Sequence, residues 1–176
     1  DYGCSRTAQL FSKDLTLFLV GDRYPQFGGT EIEPYLQDTH NVAPQVNFES
    51  EHRQNMTVLS CINQGLLESV HDISQGGLWQ TVVEMVLGER GLYRVGVTLE
   101  QPAFMNTINF LFSETGGYVV ATKSPDQIEK LLKQAKIIYY KIGQTNMSKE
   151  LKIKLNDETI TFSLDKLATS FNHYNC

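Results

Sequence analysis

No stretch of this sequence approaches the roughly 20 consecutive apolar residues that a membrane-spanning helix needs. The opening DYGCSRTAQL lacks the basic-then-apolar order of a secretory signal. It also lacks a leading Met, so it reads as a chain entered in mid-protein. Cysteine is scarce. Cys4, Cys61 and Cys176 are far apart and odd in number, which fits neither a disulfide framework nor a C-x-x-C metal site and points to a reducing cytoplasm. Histidines 40, 52, 71 and 173 have no metal-ligand spacing. A basic excess is missing too: 15 Lys and Arg stand against 20 Asp and Glu, a net charge of -5. That argues against nucleic acid as the main partner, because phosphate backbones select basic faces. A small phosphorylated ligand remains open, since it needs only local donors. No internal repeat, low-complexity tract or linker interrupts the chain.

What is present is ordinary for one globular domain: 176 residues, 41% hydrophobic and 20% charged. Residues 14–20 (DLTLFLV) read as a buried strand. VGDRYPQFGGTEI (20–32) reads as a surface loop with a Gly-Gly bend. Residues 46–65 carry Phe48, His52, Met56, Leu59 and Ile62 at spacings of three and four, which predicts a helix with that stripe as its apolar face and Gly65 at its end. In this helix Cys61 is expected to be a small core residue. A short strand over 66–73 leads to a helix over 77–87 with Leu78, Val82, Met85 and Val86 inward, Trp79 turned to a second layer or an interface, and Gly88 as its stop. LYRVGVTL (92–99) alternates like a strand, 103–111 is a short helix, and GYVVATK (117–123) is a strand. SPDQIEKLLKQA has Ser124 as cap, Pro125 at the first helical position and Gln127 completing a capping box. A strand at 137–142, a hairpin turned at Asn156-Asp157 and a helix from Asp165 close the chain. The order predicts an α/β (α+β) domain, a mixed β-sheet with helices packed on its faces.

The chemistry concentrates in SVHDISQGGLWQTVVEMV, where His71, Asp72, Ser74, Gly76 and Gly77 lie between a strand and a helix. Free N–H groups and the positive end of the helix dipole suit a phosphate there, and glycines let it approach the backbone. Ser74 could cap the helix or donate to the same anion, Asp72 could hold Mg2+, and His71 could donate to a phosphate or shuttle a proton. The plainer alternative is a tight strand-to-helix turn with Ser74 as cap, Asp72 satisfying turn amides and His71 half-buried. LFSETGGYVV places Ser113, Glu114 and Thr115 beside another Gly-Gly pair, as a substrate loop or a turn into an edge strand.

Taken together, LFLVGD…FGGTEI, GLLESVHDISQGGLWQTVVEMV, LFSETGGYVVAT and KIGQT resemble the C-terminal domain of the aminoimidazole ribonucleotide synthetase superfamily. The similarity runs over about residues 14–155, and within the superfamily it is nearest to the formylglycinamidine ribonucleotide synthetases. The resemblance implies a two-domain unit of which this is the second part: 1–13 a linker from a preceding domain, 14–176 the C-terminal domain. It implies an ATP-dependent C–N ligase of purine biosynthesis in which ATP activates the formamide oxygen of formylglycinamide ribonucleotide and glutamine-derived ammonia displaces the phosphate. ATP and Mg2+ are then the cofactors. The preceding ATP-binding domain and a glutamine amidotransferase domain or subunit are the partners. The motif with HDIS and two glycines is more like the second of the family's tandem units, whose nucleotide site is auxiliary or structural. In the first unit, residues in the places of Asp72 and of Glu114-Thr115 belong to the metal and substrate sites. Here Thr115 and Gly116 depart from the usual Glu-Ser-Gln, and Gln75 replaces an acidic residue. Selenophosphate synthetase, thiamine monophosphate kinase and the hydrogenase maturation protein are the rivals within the superfamily. They tend to lack the His before Asp. A non-catalytic structural half is the reading from outside enzymology.

Overall fold

A computed structural model describes residues 5–37, 42–88 and 95–174, without the side chains of 172–174. Cys4, Cys176, His40, the side chain of His173 and the first residues of the expected strand at 92–99 fall outside the described residues. The strands are β1 (Thr16–Val20), β2 (Ser69–Asp72), β3 (Gly96–Glu100), β4 (Tyr118–Thr122), β5 (Tyr139–Asn146), β6 (Glu150–Lys154) and β7 (Thr159–Ser163). The helices are α1 (Phe48–Asn63), α2 (Gly77–Leu87), α3 (Thr107–Phe112), α4 (Pro125–Gln134) and α5 (Leu164–Tyr174). One mixed sheet runs in the order β2-β4-β1-β5-β3-β6-β7. Every pairing in it is antiparallel except β3 with β6.

β1 is apolar throughout because it is central and covered on both faces; all five of its residues are buried. Successive side chains of a strand point to opposite faces. Leu17 and Leu19 therefore join a core with α2, α3 and the β3–β6 residues Val97, Leu99, Leu151 and Ile153. Phe18 and Val20 join a second core under α1 and α4 with Val58, Cys61, Ile128 and Leu132. The result is three layers, helices over both faces of the sheet. Among the described residues no helix is long and apolar enough to cross a membrane. Residues before β1 lie against the same body: Thr7 bridges Ser69, and Leu10 is fully buried with its N–H donating to Met85 O at 2.9 Å.

Two local expectations are corrected. The expected apolar stripe of α1 faces outward over most of its length: Phe48 is 83% exposed and His52, Met56 and Leu59 are exposed with it, while Ile62 alone of the five packs against the core. The helix buries Gln54, Val58 and Cys61 instead. Burial here follows what the sheet and α4 offer rather than which stripe is most apolar. The stop was read correctly: Gly65 N–H bonds Ile62 O and Leu66 N–H bonds Cys61 O, the paired bonds of a left-handed helix end. At α4, Ser124 occupies the cap position but its side chain makes no capping bond, and no capping box with Gln127 forms. The amides of Gln127 and Ile128 go to the Ser124 carbonyl.

Candidate functional site

β2 is an edge strand, and its last residues carry His71 and Asp72 to the sheet margin. His71 is held between two acids. Its Nε2 lies 2.9 Å from Glu84 of α2, and its Nδ1 lies 3.4 Å from the Asp72 carboxylate and 2.8 Å from the Asp72 carbonyl. Asp72 itself points outward, its side chain 66% exposed. The chain then turns through Ile73, whose N–H is tied to Gly117 O at 2.8 Å.

The turn into α2 is built on the two glycines. Gly76 (φ +77°) and Gly77 (φ +65°) both adopt the left-handed conformation that L side chains resist. Gly76 is the helix cap and has no side chain to give, so Ser74 does not cap α2; its carbonyl accepts from Gly77 N–H at 3.1 Å. A Cβ on Gly77 would sit 2.8 Å from Leu111 O and from the Phe112 backbone, and one on Gly76 2.7 Å from Gln80 Cβ. The neighbour that needs Gly77 is therefore the end of α3.

The anion at this helix start is a side chain. Glu114 Oε1 accepts from Gly76 N–H at 2.9 Å and from Glu31 N–H at 3.0 Å. Gln75 Nε2 bonds the Glu31 carboxylate, which ties the β1–α1 loop to the turn a second time. Around Glu114 the loop is braced. Ser113 is fully buried; its hydroxyl donates to Tyr24 O at 2.9 Å and contacts Thr115 Oγ1 at 3.0 Å. Thr115 Oγ1 also donates to Asp22 O at 3.0 Å. The hydroxyls of Ser113 and Thr115 are thus engaged with the loop that follows β1.

That loop is a surface loop only in part: Tyr24, Gly29 and Glu31 are exposed, whereas Arg23, Phe27 and Thr30 are buried. Arg23 is buried, donating from Nη1 to Ser113 O at 3.1 Å and from Nη2 to Gly116 O. Burial pulls its pKa down to about 10, offset in part by Asp22 and Glu51, so it stays charged at neutral pH. Beside it, Tyr140 donates to Asp22 Oδ1 at 2.9 Å, and burial together with that bond pushes the phenol up to about 12. Sequence reasoning missed Arg23 and Glu31, because each acts on a partner remote in the chain: Arg23 lies 90 residues from Ser113 and Glu31 lies 83 from Glu114.

A cleft of about 580 Å³ opens between the turn and α5, lined by Glu31, Ser74, Gln75, Gly76 and Trp79 on one side and by Leu167 and Phe171 on the other. Trp79 packs at 5.0 Å on Phe162 of β7, the second-layer position expected for it. The charged lining residues are Glu31 and Glu84. With no Lys or Arg among the described lining residues and the Gly76 amide already bonded to Glu114, the described groups of this face do not fit a polyphosphate. Mg2+ fits no better: among the described residues no three His, Cys, Asp or Glu side chains gather to hold a metal.

The described geometry agrees with known proteins. The family model "AIR synthase related protein, C-terminal domain" matches residues 16–156. Subunit PurL of phosphoribosylformylglycinamidine synthase from Pyrococcus horikoshii is 32% identical over 151 residues, 85% of this chain and 20% of that protein. Its Lactobacillus helveticus counterpart is 32% identical over 161 residues, 88% of this chain and 20% of that protein. The chain thus spans about one fifth of these relatives. In fold it is similar to Thermotoga maritima PurL, solved in complex with ATP, with a TM-score of 0.73 at 14% identity over 94% of this chain and 27% of that one. It is similar also to Escherichia coli HypE, a hydrogenase maturation protein, with a TM-score of 0.62 at 16% identity over 91% of this chain and 52% of that one. The family model covers most of the chain, including the turn from His71-Asp72 through the two glycines into α2, and the chain belongs to the AIR synthase related family as its C-terminal domain.

Proposed function

We propose that this chain is a portion of a phosphoribosylformylglycinamidine synthase. In this reading the intact enzyme converts formylglycinamide ribonucleotide, glutamine-derived ammonia and ATP to formylglycinamidine ribonucleotide, with Mg2+, in the cytoplasm. The observation that carries it is the 32% identity to a PurL subunit over 85% of the chain. The Thermotoga maritima PurL complexes with ATP, ADP and formylglycinamide ribonucleotide ("FGAR") support a nucleotide-handling enzyme, and its PurLQS complex supports further subunits such as the amidotransferase.

Within that enzyme, His71, Asp72 and Ser74 form the edge of the domain turned toward the phosphorylated ligand, and Gly76 and Gly77 set the turn that presents them. The positive charge that the polyphosphate of ATP needs comes from the preceding domain, since the cleft here is acidic. His71, set against Glu84, is positioned to hold or pass a proton at Nε2. A second reading, a non-catalytic half that positions its neighbour, is favoured by Glu114 filling the helix start.

The test is made in the intact protein that contains this chain. ADP formation should require formylglycinamide ribonucleotide and a glutamine or ammonia source together. Asp72→Asn should raise KM for the ribonucleotide or ATP severalfold with an unchanged melting temperature. Unaltered kinetics in Asp72→Asn favours the positioning half, and ADP formation independent of the ribonucleotide removes the synthase reading.

A further inference from the structure

Gln54 is a polar side chain that α1 carries to the interior, only 6% exposed. Its amide nitrogen donates to Ser50 Oγ at 3.3 Å, while among the described residues nothing donates to its Oε1. A buried amide oxygen without a donor is costly, and native structures keep few of them. Gln54 lines a cavity of about 130 Å³ that shares no described lining residue with the cleft beside α2. We propose that this cavity binds a small molecule bearing a primary amide or an ammonium group, whose N–H donates to Gln54 Oε1.

Besides the oxygen itself, the backbone and the charge of the cavity carry this. Gly21 and Gly116 line it without side chains. A Cβ on Gly21 would lie 3.0 Å from Gln54 Oε1 and so occupy the approach to that oxygen. One on Gly116 would lie 3.3 Å from Glu51 Oε1, which brings a carboxylate to the same lining. Asp22 adds a second carboxylate. The two cations of the lining, Arg53 and Lys136, are exposed, and Arg53 is paired with Glu49 at 3.0 Å. The buried part of the cavity is therefore rich in acceptors and selects a donor. Its volume exceeds the roughly 30 Å³ share of a single water, so it admits a molecule of a few heavy atoms. Arg23, buried beside Gly21, disfavours a second cation, and Asp22 and Glu51 offset it. A neutral amide and an ammonium thus share the hydrogen-bond chemistry and differ in charge.

The test is amide NMR of the full chain, titrated with acetamide and separately with methylammonium chloride. At least one probe should move the Gly21 and Gly116 amide resonances along a single saturable curve, with a dissociation constant of roughly millimolar order, the range open to ligands of so few atoms. Binding of acetamide alone identifies the neutral amide as the guest, and binding of methylammonium alone or of both admits the charged one. The Ile153 amide of β6 should stay unmoved. Gln54→Met keeps the length of the side chain and removes the acceptor. It should weaken binding at least about fivefold, with the melting temperature kept or raised because the unpaired oxygen is gone. Absence of a saturable shift with either probe would show that hydration satisfies the oxygen and would overturn the proposal. Equal affinity in Gln54→Met, or an Ile153 shift that follows the same curve, would overturn it too. Should Gln54→Met fail to fold, the side-chain amide resonances of Gln54 in the native chain replace it. They should shift with the dissociation constant read at Gly21, and Gln54 resonances that stay still while Gly21 moves are equally contrary.

Discussion

At the scale of single residues, the two glycines divide their work unequally. Both need positive φ, which costs an L side chain about 1–2 kcal/mol. Gly77 adds a backbone collision with α3, whereas Gly76 meets the Gln80 side chain. Gly77→Ala should therefore cost about 2–4 kcal/mol in chemical unfolding and Gly76→Ala about 1–2 kcal/mol; equal losses would show that α3 yields freely. Arg23 belongs at this scale too. A lysine keeps its charge but cannot reach both Ser113 O and Gly116 O as a fork does. Arg23→Lys should lower stability by about 1–3 kcal/mol, with the loop amides near Thr115 losing exchange protection first.

At the scale of elements, α2 was legible from the sequence because its signals are local: two glycines before an apolar run and Gly88 after it, with Leu78, Val82, Met85 and Val86 buried as their spacing demanded. α1 was not legible in its orientation. Its expected stripe faces solvent from Phe48 to Leu59, while Gln54, only 6% exposed, turns to the interior. Periodicity locates a helix, but which face is covered depends on α4 and the sheet, and those partners are remote in sequence. The same limit hid the bond from the Glu31 amide to the Glu114 carboxylate, because the two residues are 83 apart. The energetic consequence is direct. Val58→Ala should destabilise by about 1–2 kcal/mol, and Met56→Ala on the exposed stripe by less than about 0.5 kcal/mol. Urea denaturation of the two variants compares them, and a larger loss at Met56 would mean that the stripe is covered in solution.

At the scale of the whole molecule, titration of its tyrosines sets an alkaline limit. Tyr140 is raised to about 12, by burial first and by its bond to Asp22 second, and Tyr24 and Tyr118 are raised in the same direction. The folded state therefore holds these protons more tightly than the unfolded chain, whose phenols titrate near about 10. Their stabilisation is complete below the unfolded value and is lost as pH rises through the folded one. Unfolding free energy should fall between pH 10 and 12, and more shallowly in Tyr140→Phe; a flat profile over that window would contradict the raised values. The layered sheet and the acidic cleft beside α2 describe a domain that offers walls and turns rather than positive charge. The most direct measurement is steady-state ADP formation with formylglycinamide ribonucleotide, ammonia, ATP and Mg2+, made in parallel on the intact protein and on the 176-residue chain. The account predicts ribonucleotide-dependent turnover by the intact protein and none by the chain alone. Steady turnover by the chain would contradict it.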